Sequence, residues 1–222
     1  MTTIVIATRN AHKAGEIRAI LGSAAQILTL NDFPNVPKVI EDADTFAGNA
    51  RKKAVELARW LAVTFPLPRH SSPLFVLADD SGLEVDALDG APGVHSARFA
   101  ALDSARSGNT SDADNNAKLL QLLKDVPLKK RRARFHCAIA LVEIHPPPSI
   151  LHPQIFDGAC EGRIGFASRG KNGFGYDPLF VPVGLEQTFA ELGEDMKNRL
   201  SHRAQALEKL KAFLEGSASS LP

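Results

Sequence analysis

Two adjacent carboxylates, Asp79 and Asp80, stand where an apolar run at 74–78 ends, with Ser81 and Gly82 directly behind them. A carboxylate removed from water is costly unless it is paired with a cation or binds a metal. If the strand continues through the pair, the two side chains point to opposite faces of the sheet, and only one faces a cleft. Such a carboxylate can bind Mg²⁺ that carries phosphate oxygens, or orient attacking water. A turn in which Asp79 accepts hydrogen bonds from backbone N–H groups fits these residues equally well.

A candidate phosphate-binding turn lies at ATRNAHK, residues 7–13, between an apolar strand and the start of a helix. Backbone N–H groups and the helix dipole attract phosphate there, and Thr8, Arg9, Asn10 and Lys13 add polar side chains. The pattern is not the GxxxxGKS/T loop. A capped helix with one solvated lysine is the alternative interpretation.

A glycine-rich segment, KNGFGYDP at 171–178, carries two aromatic rings that a core would normally hold. Phe174 and Tyr176 alternate with glycines, a pattern that fits a mobile platform on which a base stacks. The alternative is that Phe174 fills a gap and that Asp177 with Pro178 starts a turn.

Other charged residues could complete a site. Glu41 offers a second carboxylate in the loop before a predicted helix, although alone it is typical of a solvated acid. Lys197, His202 and Arg203 fall at the predicted start of the last helix, where they could donate to an anion or a polar ligand edge, or simply cap the helix. The seven histidines show no HExxH or paired spacing, which argues against zinc.

The elements that must position these residues alternate between strand and helix patterns. A strand at 3–8 precedes a helix at 10–21, and further strands are predicted at 27–30, 74–78 with 83–88, 134–144 and a pair within 154–168. A helix capped by Thr45 carries the apolar stripe Phe46, Ala50, Ala54, Leu57 and Leu61. Two more helices are predicted at 115–126 and after Ser201, the latter with Leu207, Leu210 and Leu214.

Loops are predicted at the proline-rich stretch 64–73 and at 146–149. The pattern as a whole predicts an α/β fold with a mixed central sheet flanked by helices. We expect one domain over residues 1–215 and a frayed tail at 216–222.

Composition limits the function classes. The 222 residues are 44% hydrophobic and carry a net charge of +1, so no protein-wide field favours nucleic acid or an anionic membrane. The basic segment LKKRRAR at 128–134 lacks interleaved aromatic residues, which favours a solvated connection over a nucleic-acid surface. The apolar run at the start of the chain is shorter than the apolar core of a signal peptide, so we expect a soluble cytoplasmic protein. Cys137 and Cys160 are predicted to be buried thiols.

Five strings occur in order between residue 4 and about residue 210: TRNAHKAGEI, EDADTFAGNA, LADDSGLEVDALDGAPGVHSARFA, GKNGFGYDPLF and TFAELGEDMKNRLSHRAQAL. Together they resemble the successive motifs of the inosine triphosphate pyrophosphatase family, which hydrolyses non-standard purine nucleoside triphosphates. The ordered set is far more specific than any one loop, and it favours the functional interpretation of each motif.

The resemblance implies a two-lobed fold with a cleft. It also implies a Mg²⁺-dependent hydrolase that cuts ITP, dITP and XTP between the α and β phosphates and forms a homodimer. It implies that Glu41 and Asp80 bind the metal, that Asp80 accepts the proton of the attacking water and that Lys13 offsets developing charge. His202 and Arg203 are the expected donors to the 6-keto oxygen of the purine. The substrate-binding residues that the resemblance implies are Thr8, Arg9, Asn10, Ala11, His12, Lys13, Ser81, Phe174, Gly175, Tyr176, Asp177, Lys197, His202 and Arg203.

The sequence departs from the usual motifs of the family at three positions without an assigned role. His95 stands where tyrosine is common, Ala101 where glycine is usual, and Gly48 where an acid often occurs. The stretch 64–73 is also longer than the usual connection.

Two rival functions are compatible with parts of the sequence. A nucleotide-binding module could employ the phosphate turn and Phe174 without turnover, although the intact Asp80 and Glu41 argue against it. A polynucleotide binder could employ residues 129–134, and the near-zero net charge argues against that function.

Overall fold

The computed structural model describes residues 2–22, 25–64, 73–102, 108–144 and 152–218. The loop predicted at 146–149, most of the loop predicted at 64–73 and the last four residues of the predicted tail lie outside the described residues. No helix in the described ranges is long and apolar enough to cross a membrane.

The described strands form one mixed sheet, which confirms the predicted fold class. They are β1 (Thr2–Ile6), β2 (Ala25–Thr29), β3 (Leu74–Val85), β4 (Arg132–Ile144), β5 (Gln154–Ile164) and β6 (Phe180–Pro182), in the order β2-β1-β3-β4-β5-β6. Strand β1 is parallel to both β2 and β3, whereas β5 and β6 are antiparallel. Parallel neighbours require a crossover, and the helix between β1 and β2 provides it.

Two helices begin at the predicted capping residues, Thr45 and Ser201. The described α-helices are α1 (Ala11–Leu21), α2 (Phe46–Thr64), α3 (Asp112–Leu122), α4 (Phe189–Leu192), α5 (Glu194–Leu200) and α6 (His202–Ala218). The side chains of Asn10, Thr45 and Ser201 each accept a hydrogen bond from a backbone N–H three residues later, which satisfies donors that the first helical turn leaves open.

The chain forms two compact units. The first comprises Met1–Asp80, Ala138–Asp157 and Ala206–Pro222. Its core includes the apolar residues Ile4, Val5 and Ile6 of β1, and a continuous apolar run is typical of a parallel strand covered on both faces. The predicted stripe of α2 is buried throughout, at Phe46, Ala50, Ala54, Leu57 and Leu61.

The second unit comprises Ser81–Cys137 and Gly158–Gln205. Its core is rich in aromatic rings: Phe135 lies 4.7 Å from Phe180 and 6.1 Å from Phe189 between ring centroids. Cys160 belongs to this core, and both it and Cys137 are buried free thiols, as predicted.

Three local predictions are wrong. The predicted strand pair within 154–168 is the single strand β5, and its partner β6 lies further along the chain. A Cβ at Gly162 of β5 would lie 2.4 Å from the carbonyl oxygen of Val181, so glycine permits close approach of β6. The segments 74–78 and 83–85 form one strand through the acid pair, and 86–88 turn away as a 3-10 helix. Lys197 lies in α5, not at the start of the last helix.

Candidate active site

Strand β3 continues through the acid pair, so a turn at Asp79 is excluded. Asp79 and Asp80 are both buried, with 4% and 7% of their surface exposed. Because successive strand residues point to opposite faces, the two carboxylates meet different lysines: Asp79 pairs with Lys13, and Asp80 pairs with Lys53.

Lys13 belongs to the predicted strand, turn and helix at 7–13, which the structure confirms. The hydroxyl of Thr8 accepts a hydrogen bond from the N–H of Asn10 at 3.1 Å, and the Asn10 side chain accepts one from the N–H of Lys13 at 3.1 Å. Arg9 donates to the carbonyl of Val36 at 3.4 Å. Ala11 and His12 are exposed in the first turn of α1. Thr8 and Asn10 therefore build the turn that presents this helix end.

Lys53 brings together the two carboxylates that the resemblance assigns to metal. Its ammonium lies 3.1 Å from Oδ1 of Asp80 and 3.2 Å from Oε2 of Glu41, and it donates to the carbonyl of Asp79 at 2.7 Å. Sequence reasoning missed this buried lysine. The available signal was its place on the apolar face of α2, three residues after Ala50 and next to Ala54.

The charges of this cluster do not cancel. Three carboxylates, Glu41, Asp79 and Asp80, share two ammonium groups, those of Lys13 and Lys53. The five side chains therefore have a net charge of −1 when all are ionised. A cation bound among them would remove this excess.

The pKa shifts reflect the same imbalance. Burial raises the pKa of the Asp80 carboxyl above its usual value, and Lys53 and Lys13 counter only part of that shift. Burial acts to raise the pKa of Glu41 as well, but the Lys53 ammonium brings it below its usual value. For Lys53, burial acts to lower the pKa, and Asp80 and Glu41 hold it above the usual value. The lysine stays charged, and of the two acids only Asp80 has a pKa above its usual value.

Asn49, a second residue that sequence reasoning missed, holds the Glu41 loop in place. It is 1% exposed, its Oδ1 accepts from the N–H of Ala43 at 3.0 Å and its Nδ2 donates to the Ala43 carbonyl at 3.2 Å. The same Nδ2 lies 3.2 Å from Oδ2 of Asp80. One buried amide thus links Asp80 to the backbone two residues after Glu41.

In the second unit, the glycine-rich segment at 171–178, called the aromatic loop below, surrounds a buried ion pair. Oδ2 of Asp177 lies 2.5 Å from the Lys197 ammonium and accepts from the N–H of Phe174 at 2.9 Å. The same ammonium lies 4.3 Å from the centroid of the half-buried Phe174 ring. Gly173 has φ +75°, and a Cβ there would lie 2.1 Å from Oδ2 of Asp177, so only glycine fits.

Tyr176 points into the core of its unit. It is 3% exposed, and its hydroxyl donates to the carbonyl of Ser96 at 2.9 Å. Burial, with a smaller contribution from the Asp112 carboxylate, raises its pKa above the usual value. Of the two rings predicted as a platform, only Phe174 lies outside the buried core.

Ser81 and Arg203 meet, as their shared assignment anticipates. The Arg203 guanidinium donates to the Ser81 hydroxyl at 2.8 Å, and the arginine is 1% exposed. His202 is also buried, and its ring stacks on Phe135 with 4.9 Å between centroids and 12° between planes. The hydrogen bond to Ser81 therefore orients Arg203, and stacking on Phe135 orients His202.

The basic segment at 128–134 is partly structural. Arg131 is buried and donates to the carbonyls of Leu123, Val126 and Gly165 at 2.6 to 2.9 Å. Arg134 lies 2.9 Å from the Glu161 carboxylate. These contacts use charges that a polynucleotide surface would need.

The described residues contain no group of three or more His, Cys, Asp or Glu side chains that could hold a metal ion. The first unit brings together Lys13, Glu41, Asp79 and Asp80 around Lys53. The second unit brings together Phe174, Asp177 and Lys197, and separately Ser81 and Arg203.

Comparison with known proteins agrees with the motif resemblance. A sequence model described as the Ham1 family matches residues 4–213. The dITP/XTP pyrophosphatase of Exiguobacterium sibiricum is 48% identical over 212 residues, covering 95% of this chain and 96% of that protein. The dITP/XTP pyrophosphatase of Geobacillus kaustophilus is 45% identical over 211 residues, covering 95% and 93%.

Solved structures with the same fold are similar along nearly the whole chain. A HAM1 protein from Coxiella burnetii has a TM-score of 0.79 and 39% identity, covering 97% of this chain and all of that one. The Ham1 protein of Staphylococcus aureus has a TM-score of 0.78 and 35% identity, covering 98% of this chain and 100% of that chain.

Proposed function

The chain belongs to the Ham1 family, and from this we propose that it hydrolyses the non-standard purine nucleoside triphosphates ITP, dITP and XTP to the monophosphate and pyrophosphate. Its relatives are named dITP/XTP pyrophosphatases. The observation that carries the proposal is that Glu41 and Asp80 both contact the Lys53 ammonium. Their charge cluster also contains Lys13 of the phosphate-type turn. Such hydrolysis removes deaminated purines from the nucleotide pool.

Glu41 and Asp80 would hold Mg²⁺. Both offer hard oxygen donors, and the net charge of −1 in their cluster fits an added cation. Magnesium is typically bound by one or two carboxylates together with substrate phosphates. When bound, it would neutralise phosphate charge and polarise the phosphorus under attack.

The residues of the first unit then bind the triphosphate, stabilise developing charge and accept the proton of the attacking water. Backbone N–H groups and side chains of the turn bind the triphosphate, with Lys13 offsetting charge that develops as the bond breaks. The residues proposed for this binding are Thr8, Arg9, Asn10, Ala11, His12 and Lys13. Asp80 orients the attacking water and accepts its proton, for which its raised pKa is suited. Lys53 pairs with both carboxylates and so keeps the Glu41 and Asp80 oxygens close together.

The second unit supplies base recognition. The Phe174 ring offers a stacking surface, and its backbone N–H is held by Asp177. We assign donation to the 6-keto oxygen to His202 and Arg203, with Ser81 and Lys197 completing the contacts. Adenine presents an amino group at that position and would leave buried donors unsatisfied, so it is disfavoured.

The functional form is proposed to be a cytoplasmic homodimer in which residues 1–215 act as one pyrophosphatase domain. Sedimentation at micromolar concentration tests the oligomeric state, since a monomer would refute it.

A pyrophosphate-release panel tests the activity. We expect efficient turnover of ITP, dITP and XTP, weak turnover of ATP and dATP, and none after Mg²⁺ is chelated. Binding of dITP without pyrophosphate release would indicate a nucleotide sensor, and equal efficiency with dATP would refute the selectivity.

A further inference from the structure

We propose that Asp112 and Asn116 of α3 are positioning residues for the loop that carries Phe174, and that they thereby set the affinity for the purine base. The inference rests on the proposed function, in which Phe174 contacts the base. Neither residue belongs to the motifs from which the site was assigned.

The two side chains take both backbone hydrogen-bonding groups of one loop residue. Oδ2 of Asp112 accepts from the N–H of Gly175 at 2.7 Å, and Nδ2 of Asn116 donates to the Gly175 carbonyl at 2.9 Å. Positions four apart lie on the same face of a helix. One face of α3 therefore holds the residue directly after Phe174.

These bonds replace packing on that side of the loop. An open groove of about 470 Å³ lies between part of α3 and the loop, lined by Ala117 and Leu120 of the helix and by Phe174 and Pro178. Side chains that line an open groove have no protein atoms against them on that side, so packing there holds the loop weakly. The loop also contains glycines with φ of +75° and +63°, at Gly173 and Gly175, and glycine leaves the backbone free to move unless it is tied.

Helix α3 is itself firmly anchored. Oδ1 of Asn115 accepts from the N–H of Ala100 at 2.9 Å and from the Thr110 hydroxyl at 2.7 Å, and Leu119 is fully buried. The Ser111 side chain caps the helix by accepting from the N–H of Asp114. The helix can therefore act as a fixed support for the loop.

The buried side-chain amide of Asn116 makes its hydrogen bond to the aromatic loop. The residue is 8% exposed, and its Oδ1 has no hydrogen-bond partner within the described ranges. Burying such an oxygen is costly, so the residue's visible contribution is its donation to Gly175.

A support of this kind acts on binding more than on the chemical step. The Phe174 ring would contact the base equally in the ground state and the transition state. Loss of uniform binding raises KM and leaves kcat unchanged.

The test compares two removals with matched controls. Asn116→Ala should raise KM for dITP about tenfold and Asp112→Ala, whose bond is exposed, about threefold, with kcat within about twofold of wild type. Asp112→Asn keeps an acceptor for the Gly175 N–H and should restore KM. Asp114→Ala removes a second acid from the same helical turn and should leave KM unchanged. Amide hydrogen exchange at Gly175 should accelerate in Asp112→Ala and not in Asp114→Ala.

Each outcome decides the matter. A wild-type protein that releases no pyrophosphate from dITP refutes the proposed function and this inference with it. Wild-type turnover with an unchanged KM in both alanine variants overturns the inference alone. A fall in kcat as large as the rise in KM, or an equal effect of Asp114→Ala, would mean a general loss of structure and also overturns it. If Asn116→Ala does not fold, the Asp112 variants decide.

Discussion

The ammonium of Lys53 lies 3.1 Å from Oδ1 of Asp80, and both residues are buried. Such a pair gains its attraction only after both charges leave water, so it stabilises little by itself, but removing one partner leaves the other charge buried. The pair therefore makes the proposed catalytic carboxylate, Asp80, depend on a lysine 27 residues away in sequence.

Lys53→Met should destabilise the protein by about 3 kcal/mol at pH 7, because Glu41, Asp79 and Asp80 would then share a single ammonium. The loss should shrink in acid. Lys53 holds the pKa of Glu41 below its ordinary 4.5, and a lowered folded-state pKa gives stability that is present above 4.5 and lost as pH falls through the folded value. Urea unfolding at pH 7 and pH 3.5 measures both effects.

The neighbouring Lys52→Met serves as the control for that measurement. Lys52 pairs with Asp42, whose side chain is 63% exposed and screened by solvent, so its loss should leave the free energy of unfolding close to that of the wild type. An equal loss of unfolding free energy in Lys53→Met and Lys52→Met would show that the Lys53 cluster contributes no more to stability than a surface ion pair.

Asp80→Asn should reduce kcat for dITP about 10²-fold or more at saturating Mg²⁺, because the amide keeps the shape and an acceptor for Lys53 but cannot take a proton. Steady-state pyrophosphate release measures it. Turnover close to wild type would remove Asp80 from the role of base.

Glu41→Gln should weaken Mg²⁺ binding about tenfold or more, since one of two proposed carboxylate ligands loses its charge. Titration calorimetry with Mg²⁺ measures this directly, apart from activity. Asp42→Asn alters the adjacent acid, which pairs with Lys52, and should leave Mg²⁺ affinity unchanged. A similar weakening in both variants would point to a diffuse charge effect.

Gly173→Ala should destabilise the aromatic loop more than Gly175→Ala. Both positions have positive φ, which costs an alanine about 1 kcal/mol or more, but only the Cβ at 173 meets Asp177, at 2.1 Å. Thermal melts and KM for dITP compare the two. The same result for both would mean that strain alone, and not the Asp177 contact, explains the glycine.

Unfolding free energy should fall above pH 9 in part through Cys160. Burial raises the pKa of this thiol to about 11 from 9.0, so the unfolded chain ionises first. A raised folded-state pKa gives stability that is complete below the unfolded value and is lost as pH rises through the folded one. The loss should reach at most about 2 kcal/mol by pH 11, and Cys160→Ala should flatten the wild-type slope between pH 9 and 11. Parallel slopes would contradict the shift.

Local patterns predicted most of the elements that position the site. The caps Asn10, Thr45 and Ser201 and the stripe of α2 depend on residues within a few positions of one another, so the sequence contains the whole signal. The acid pair at the end of an apolar run and the five ordered motifs likewise needed no tertiary information to indicate a phosphohydrolase.

Long-range partners decided the rest. Lys53 and Asp80 are 27 positions apart, Tyr176 and Ser96 are 80 apart, and Arg203 and Ser81 are 122 apart. No spacing rule links such pairs, because their contact depends on which strands and helices become neighbours. The sequence by itself determined the local elements and the chemical types available. Only the tertiary structure decided that Lys53 is buried between two acids, that Tyr176 belongs to the core and that α3 supports the aromatic loop, because the free energy of each arrangement lies in contacts between distant segments.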